Sequence, residues 1–82
     1  MMQEQVFQKV VSIITPFVKA PEALATIGME SSLVKDLKVN SARLVDVVLE
    51  IEDTFGMAIA DADADRVKTV GDAVRLIQAA QK

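Results

Sequence analysis

The chain has no cysteine and no histidine. Without cysteine there is no disulfide, no thiolate metal site and no thiol nucleophile. Without histidine it lacks the commonest general base and the commonest transition-metal ligand. Ser-His-Asp and Cys-His catalysis are therefore excluded. Tryptophan and tyrosine are absent too, and three Phe are the only aromatics. The core must come from Val, Ile, Leu, Ala and Met, and a 51% apolar content of this kind suits helices joined by loops. No apolar run approaches the ~20 residues that span a bilayer. Met1 to Gln5 lacks the basic start and apolar block of a signal peptide, so a cytoplasmic location is expected. A chain of 82 residues makes one small domain, here residues 1–82.

What the chain does have is acid in one place. The formal net charge is only −3. Residues 1–45 nonetheless balance Glu4, Glu22, Glu30 and Asp36 against Lys9, Lys19, Lys35, Lys38 and Arg43. Residues 46–65 hold Asp46, Glu50, Glu52, Asp53, Asp61, Asp63 and Asp65 with no base among them. Such a block repels nucleic acid and anionic membrane surfaces and attracts basic protein patches.

Apolar spacing predicts an all-α fold. Val6, Phe7, Val10, Ile13 and Ile14 share one side of a helix from Gln3 to about Thr15, which Pro16 should end or kink. From Pro16 to Asn40 the periodicity fades. Leu24, Ile27, Met29, Leu33, Leu37 and Val39 are expected to lie on the helices, with a helical turn near residues 31–36. Ser41 to Phe55 is the strongest helix, with Leu44, Val48, Ile51 and Phe55 as its inward stripe and Gly56 as its stop. One or two turns are expected over Asp61–Val67. Thr69-Val70-Gly71-Asp72 resembles a capping box that opens a last helix with Val70, Ala73, Val74 and Ile77 facing inward. The result is a small bundle of three main helices plus one short helix, with a long first loop.

Ser41 stands where that loop meets the strongest helix. The first turn of a helix has unpaired N–H groups and favours a phosphate diester. On position alone, a simple cap by Ser41 or Asn40 is the commoner explanation. The wider pattern reverses that weighting. The stretch from Ser32 through Asp36-Leu37-Lys38-Val39-Asn40-Ser41 to Leu49-Glu50-Ile51-Glu52-Asp53-Thr54-Phe55 resembles the acyl carrier protein family. Ala58-Ile59-Ala60-Asp61 and Thr69-Val70 continue the likeness without a gap to about Ile77. The resemblance implies a free-standing carrier, with no catalysis of its own. A phosphopantetheinyl transferase would attach a 4'-phosphopantetheine arm from coenzyme A to Ser41, beside Asn40. The arm's thiol would hold acyl groups as thioesters for fatty acid, lipid or polyketide-type synthesis. It further implies that Asp46, Glu50 and Asp53, with Leu49 as an apolar contact, dock basic patches of acyl-loading and acyl-processing enzymes. A monomer is expected. Were docking apolar instead, Val47 and Leu49 would carry it.

The sequence departs from the family pattern around the serine. Asn40 replaces the usual Asp, Ala42 a Leu, Arg43 a frequent acid and Lys38 a common Gly. These changes suggest a specialised carrier with its own partners. Two other functions stay open at this point: an aminoacyl or peptidyl carrier, and a helical adaptor that binds a basic partner without a prosthetic group. Asp61, Asp63 and Asp65 alternate like the start of a calcium loop, but Arg66 stands where the tight turn needs Gly and Asp72 where a bidentate Glu is usual. No metal is expected.

Overall fold

The structure is a computed structural model and describes residues 2–80. It is all-α, with helices α1 (Gln3–Ile14), α2 (Leu44–Phe55), α3 (Asp61–Ala64) and α4 (Val70–Ala80). Among the described residues an isolated antiparallel bridge pairs Ser32 with Thr69. The expected bundle of three main helices and one short one is present. The single-domain reading of 1–82 extends to Met1, Gln81 and Lys82, which lie outside the described residues.

Helix α1 buries Val6, Val10 and Ile14, one helical turn apart, and packs mainly on α4. The Thr15 hydroxyl donates to the Val11 carbonyl at 2.6 Å, and the chain tightens into a 3-10 turn over Thr15–Phe17. Pro16 enforces this change of winding, because it has no N–H to continue an α-helix. A further 3-10 helix, Pro21–Thr26, lies in the segment that sequence periodicity left irregular. Pro21 opens it, at the position where a fixed φ and a missing donor do no harm.

The rest of the long connection is strapped to the start of α4. The first N–H groups of that helix have no intrahelical partner. The N–H of Val70 donates to Ser31 O at 3.1 Å, and that of Gly71 to Met29 O at 2.8 Å. Leu33 N donates to Lys68 O at 3.0 Å. Gly71 is required by this approach: a Cβ there would stand 2.7 Å from Met29 O. Leu33, Leu37 and Val39 are fully buried, as expected for a loop that closes the core, and residues 33–36 form a turn. Lys38, between two buried neighbours, takes the left-handed conformation with φ of 59°.

Helix α4 opens on the anticipated capping box. Asp72 N donates to Thr69 Oγ1 at 3.1 Å, and Thr69 N donates to Asp72 Oδ2 at 3.1 Å. Val70, Ala73, Val74 and Ile77 all face the core.

Helix α2 differs from expectation in two ways. Its α-helical part begins at Leu44, because Ser41–Arg43 winds as a 3-10 turn. Its buried residues are Val47 and Ile51, whereas Leu44, Val48 and Phe55 are half-buried. The helix is thus rotated by about 50° from the orientation that the Leu44–Val48–Ile51–Phe55 stripe implied, half of the ~100° between successive residues. The wide apolar arc allowed either orientation. Val47, 1% exposed, is therefore removed from the candidate docking surface, and Val45, 65% exposed, takes its place. Gly56 ends α2 in the left-handed region at φ of 62°, as its position predicted.

Candidate functional site

Ser41 is the first residue of the 3-10 turn that leads into α2, and it is exposed. Asn40, immediately before it, is extended and supplies the cap. Its side-chain Oδ1 accepts from Ala42 N at 2.9 Å, and its carbonyl accepts from Arg43 N at 2.8 Å. The capping task thus belongs to Asn40, and the Ser41 hydroxyl is not used for it. The same geometry narrows which N–H groups of the turn remain for a phosphate, leaving that of Ser41 itself. The N–H groups of Ala42 and Arg43, which would have faced an anion, are already engaged by Asn40.

Ser41 lines a groove of about 370 Å³. Leu44, Val48 and Leu49 of α2 form one wall, and Ile59 and Val67 face them from the segments flanking α3. The half-burial of Leu44 and Val48 follows from this: both line the groove, and Leu44 also packs against the core. Glu52 fixes the opposite wall. Its Oε2 accepts from Ile59 N at 2.6 Å, and its main-chain carbonyl accepts from Met57 N at 3.1 Å. Helical periodicity gave no signal for this clamp, because its partner is a backbone N–H seven residues on. A larger groove, about 870 Å³, lies between α1 and α2, lined by Lys9, Ile13, Phe17 and Glu50 among others. It includes no residue of the Ser41 turn, so the smaller groove is the one relevant to chemistry at the serine.

An exposed primary hydroxyl on a groove lined by Leu44, Val48, Leu49, Ile59 and Val67, with Glu52, Asp61, Asp65 and Lys68 also along it, fits a covalently attached flexible chain. The hydroxyl is free to be esterified, and the groove can receive what hangs from it. The chain has no histidine to activate the serine.

The outer face of α2 carries the remaining candidates. Glu50 and Asp53 are exposed, and Leu49 is 52% exposed. Asp46 is on the same face but already paired: Arg43 Nη1 lies 2.9 Å from its Oδ2. The structure therefore brings Asp46, Leu49, Glu50 and Asp53 together, with one of the three acids partly neutralised. Asp61 and Asp63 lie within the short helix α3 rather than in a loop that could wrap a cation. Asp72 belongs to the cap of α4, not to this site. Burial alone would raise its pKa, but hydrogen bonds from Lys68 N, the Arg75 guanidinium and Thr69 hold it below the usual carboxylate value.

The chain is similar to known proteins over most of its length. Residues 8–77 match the family described as "Phosphopantetheine attachment site". An acyl carrier protein of Thermotoga maritima is 40% identical over 76 residues, covering 93% of this chain and 91% of the relative. One from Lactobacillus acidophilus is 35% identical over 81 residues, covering 99% of each. The solved structure of the acyl carrier protein from Enterococcus faecalis superposes with a TM-score of 0.78 at 35% identity, covering 98% of this chain and 99% of that one.

Proposed function

The chain belongs to the acyl carrier protein family, and on that premise we propose that Ser41 is the residue that bears its arm. The protein is an acyl carrier, and its family holds 4'-phosphopantetheine covalently. When bound, that group supplies a terminal thiol on which acyl groups ride as thioesters, and so provides the sulfur that the chain itself lacks. The aminoacyl carrier and the non-carrier adaptor are not favoured, since the relatives are named for acyl carriage.

The observation that carries the assignment is the division of labour between neighbours. Asn40 caps the turn, and the Ser41 hydroxyl stays exposed beside the groove. Asn40 thereby fixes the direction in which Ser41 is presented to a transferase. That enzyme has to accept the hydroxyl proton itself, because this chain offers no histidine. Leu44, Val48 and Ile59 then exclude water along the groove that receives the arm. The protein catalyses nothing itself and works as a monomer in the cytoplasm; no helix of the described residues is long and apolar enough to cross a membrane.

Partner enzymes dock on the outer face of α2 through Glu50, Asp53 and Asp46, with Leu49 and Val45 as apolar contacts. The Arg43–Asp46 pair makes this face less acidic near Ser41 than further along the helix, which supports a dedicated partner set.

The test is intact mass and peptide mapping after incubation of the apo protein with coenzyme A and a broad-specificity transferase. One phosphopantetheine per chain on the Ser41 peptide is expected, and Ser41→Ala should abolish it with little change in helix content. Modification at Ser12, Ser31 or Ser32 would remove the assignment.

A further inference from the structure

Resting on the reading of Ser41 as the attachment residue, we infer that Lys68 is the cationic partner of the phosphodiester that Ser41 carries. A diester on Ser41 places a negative charge at the groove. The usual partners for such a charge at a helix start are the first N–H groups. Here Asn40 has taken those of Ala42 and Arg43. The Ser41 N–H alone keeps no partner among the described residues, and it carries no full charge, so a cationic side chain is the remaining source of one.

Arg43 is the nearest cation in sequence, but it lies outside the groove and its guanidinium is paired with Asp46. Lys38 is exposed and does not line the groove either. Among the described residues that line it together with Ser41, Lys68 is the one cation, against the carboxylates of Glu52, Asp61 and Asp65. Those three acids would repel a diester, and Lys68 offsets one charge of the three. Its ammonium is uncommitted: the ion pairs among the described residues are Arg43–Asp46 and Arg75–Asp72.

The backbone of Lys68 is also fixed, which is what makes the residue useful. Its N–H donates to Asp72 Oδ2 at 3.1 Å, and its carbonyl accepts from Leu33 N at 3.0 Å. The Leu33 carbonyl in turn accepts from Val39 N at 2.8 Å, two residues before Ser41. A continuous set of main-chain hydrogen bonds thus ties the base of the Lys68 side chain to the segment that presents the serine. A mobile lysine would lose more freedom on pairing; this one has only its side chain left to order.

The experiment compares wild type, Lys68→Met and Lys68→Arg. Each is converted to the holo form with coenzyme A and a broad-specificity transferase, and the modified peptide is mapped. Thermal midpoints of apo and holo forms are then measured at low and high salt, and the phosphorus resonance of the diester is recorded. This forms a thermodynamic cycle between arm and lysine, so any effect of Lys68 on the bare fold cancels. The expected result is a holo-minus-apo difference at low salt that falls by at least half in Lys68→Met, is kept in Lys68→Arg and shrinks with salt. The phosphorus resonance should move in the Met variant and stay close to wild type in the Arg variant. A label on Ser41 with the same holo-minus-apo difference and the same resonance in all three proteins overturns the Lys68 inference alone. A label mapped to another serine overturns the attachment assignment and this inference together.

Discussion

Replacing Lys38 by glycine should make the protein more stable. Lys38 sits at φ of 59°, between Leu37 and Val39, which are 0% and 1% exposed. Its own side chain is exposed, so its removal sacrifices no core packing. The left-handed conformation costs a residue with a Cβ about 1–2 kcal/mol. Glycine escapes that penalty but loses more backbone freedom on folding, about 0.5–1 kcal/mol. The difference leaves Lys38→Gly more stable by about 0.5–1 kcal/mol, or a rise of about 2–8 °C in midpoint for a domain of this size. Hydrogen bonds hold the conformation on both sides: Lys19 N donates to Leu37 O at 3.2 Å, and Val39 N donates to Leu33 O at 2.8 Å. The backbone therefore cannot relax away from the strain without giving up these bonds.

The assay is thermal and urea unfolding followed by circular dichroism, with Lys38→Ala and Lys38→Asn as controls. Alanine keeps a Cβ and should gain nothing. Asparagine tolerates the left-handed region and should fall between alanine and glycine. A glycine variant no more stable than the alanine variant would refute the strain argument, because it would show that loss of the lysine side chain, not backbone freedom, sets the result.

Two further perturbations address the cap of α4 and the docking face. Asp72→Ala should cost about 1 kcal/mol at neutral pH, the usual effect of losing a helix cap. Because the folded-state pKa of Asp72 is lowered, its contribution is present above the unfolded value of about 3.9 and is lost as pH falls through the folded value. The gap between wild type and variant, followed by urea unfolding across pH, should therefore close in acid; a gap constant with pH would refute it. Charge reversal at Glu50 and Asp53 should slow association with a cognate enzyme more than it speeds dissociation. Each exposed pair contributes only about 0.2–1 kcal/mol, and their sum acts mainly on encounter. An association rate indifferent to salt and to both reversals would shift attention to Val45 and Leu49.

Much of the fold was legible because it rests on local signals. Pro16, Gly56 and the Thr69–Asp72 box each act within a few residues, and each ends or opens a helix where expected. The stripe of α1 was legible because its apolar arc is narrow, with Val6, Val10 and Ile14 in line. Helix α2 misled because Leu44, Val45, Val47, Val48, Leu49 and Ile51 are apolar around more than half its circumference. Periodicity then cannot say which part meets the core, which part floors a groove and which part meets water. The 3-10 helix at Pro21–Thr26 was missed for a related reason: its period is close to three, and none of its residues is fully buried.

The site shows the same division between near and distant causes. Ser41 was nominated by its place at the start of a helix and by the ordered likeness of its surroundings, and the structure leaves its hydroxyl exposed. That Asn40 alone would cap was not, since either residue has the oxygen to do so and only the backbone angles decide. Glu52 and Lys68 could not be read from sequence at all. Glu52 acts on Ile59 across a turn, and Lys68 is tied by its carbonyl to Leu33, which in turn binds Val39. The asparagine that replaces the family's aspartate gains meaning in this setting. It keeps the capping oxygen that orients Ser41 and removes a fixed negative charge next to the proposed diester. Fewer charges then compete for the lysine. An uncharged cap and a cation on the same groove as Ser41 change the local electrostatics in the same direction.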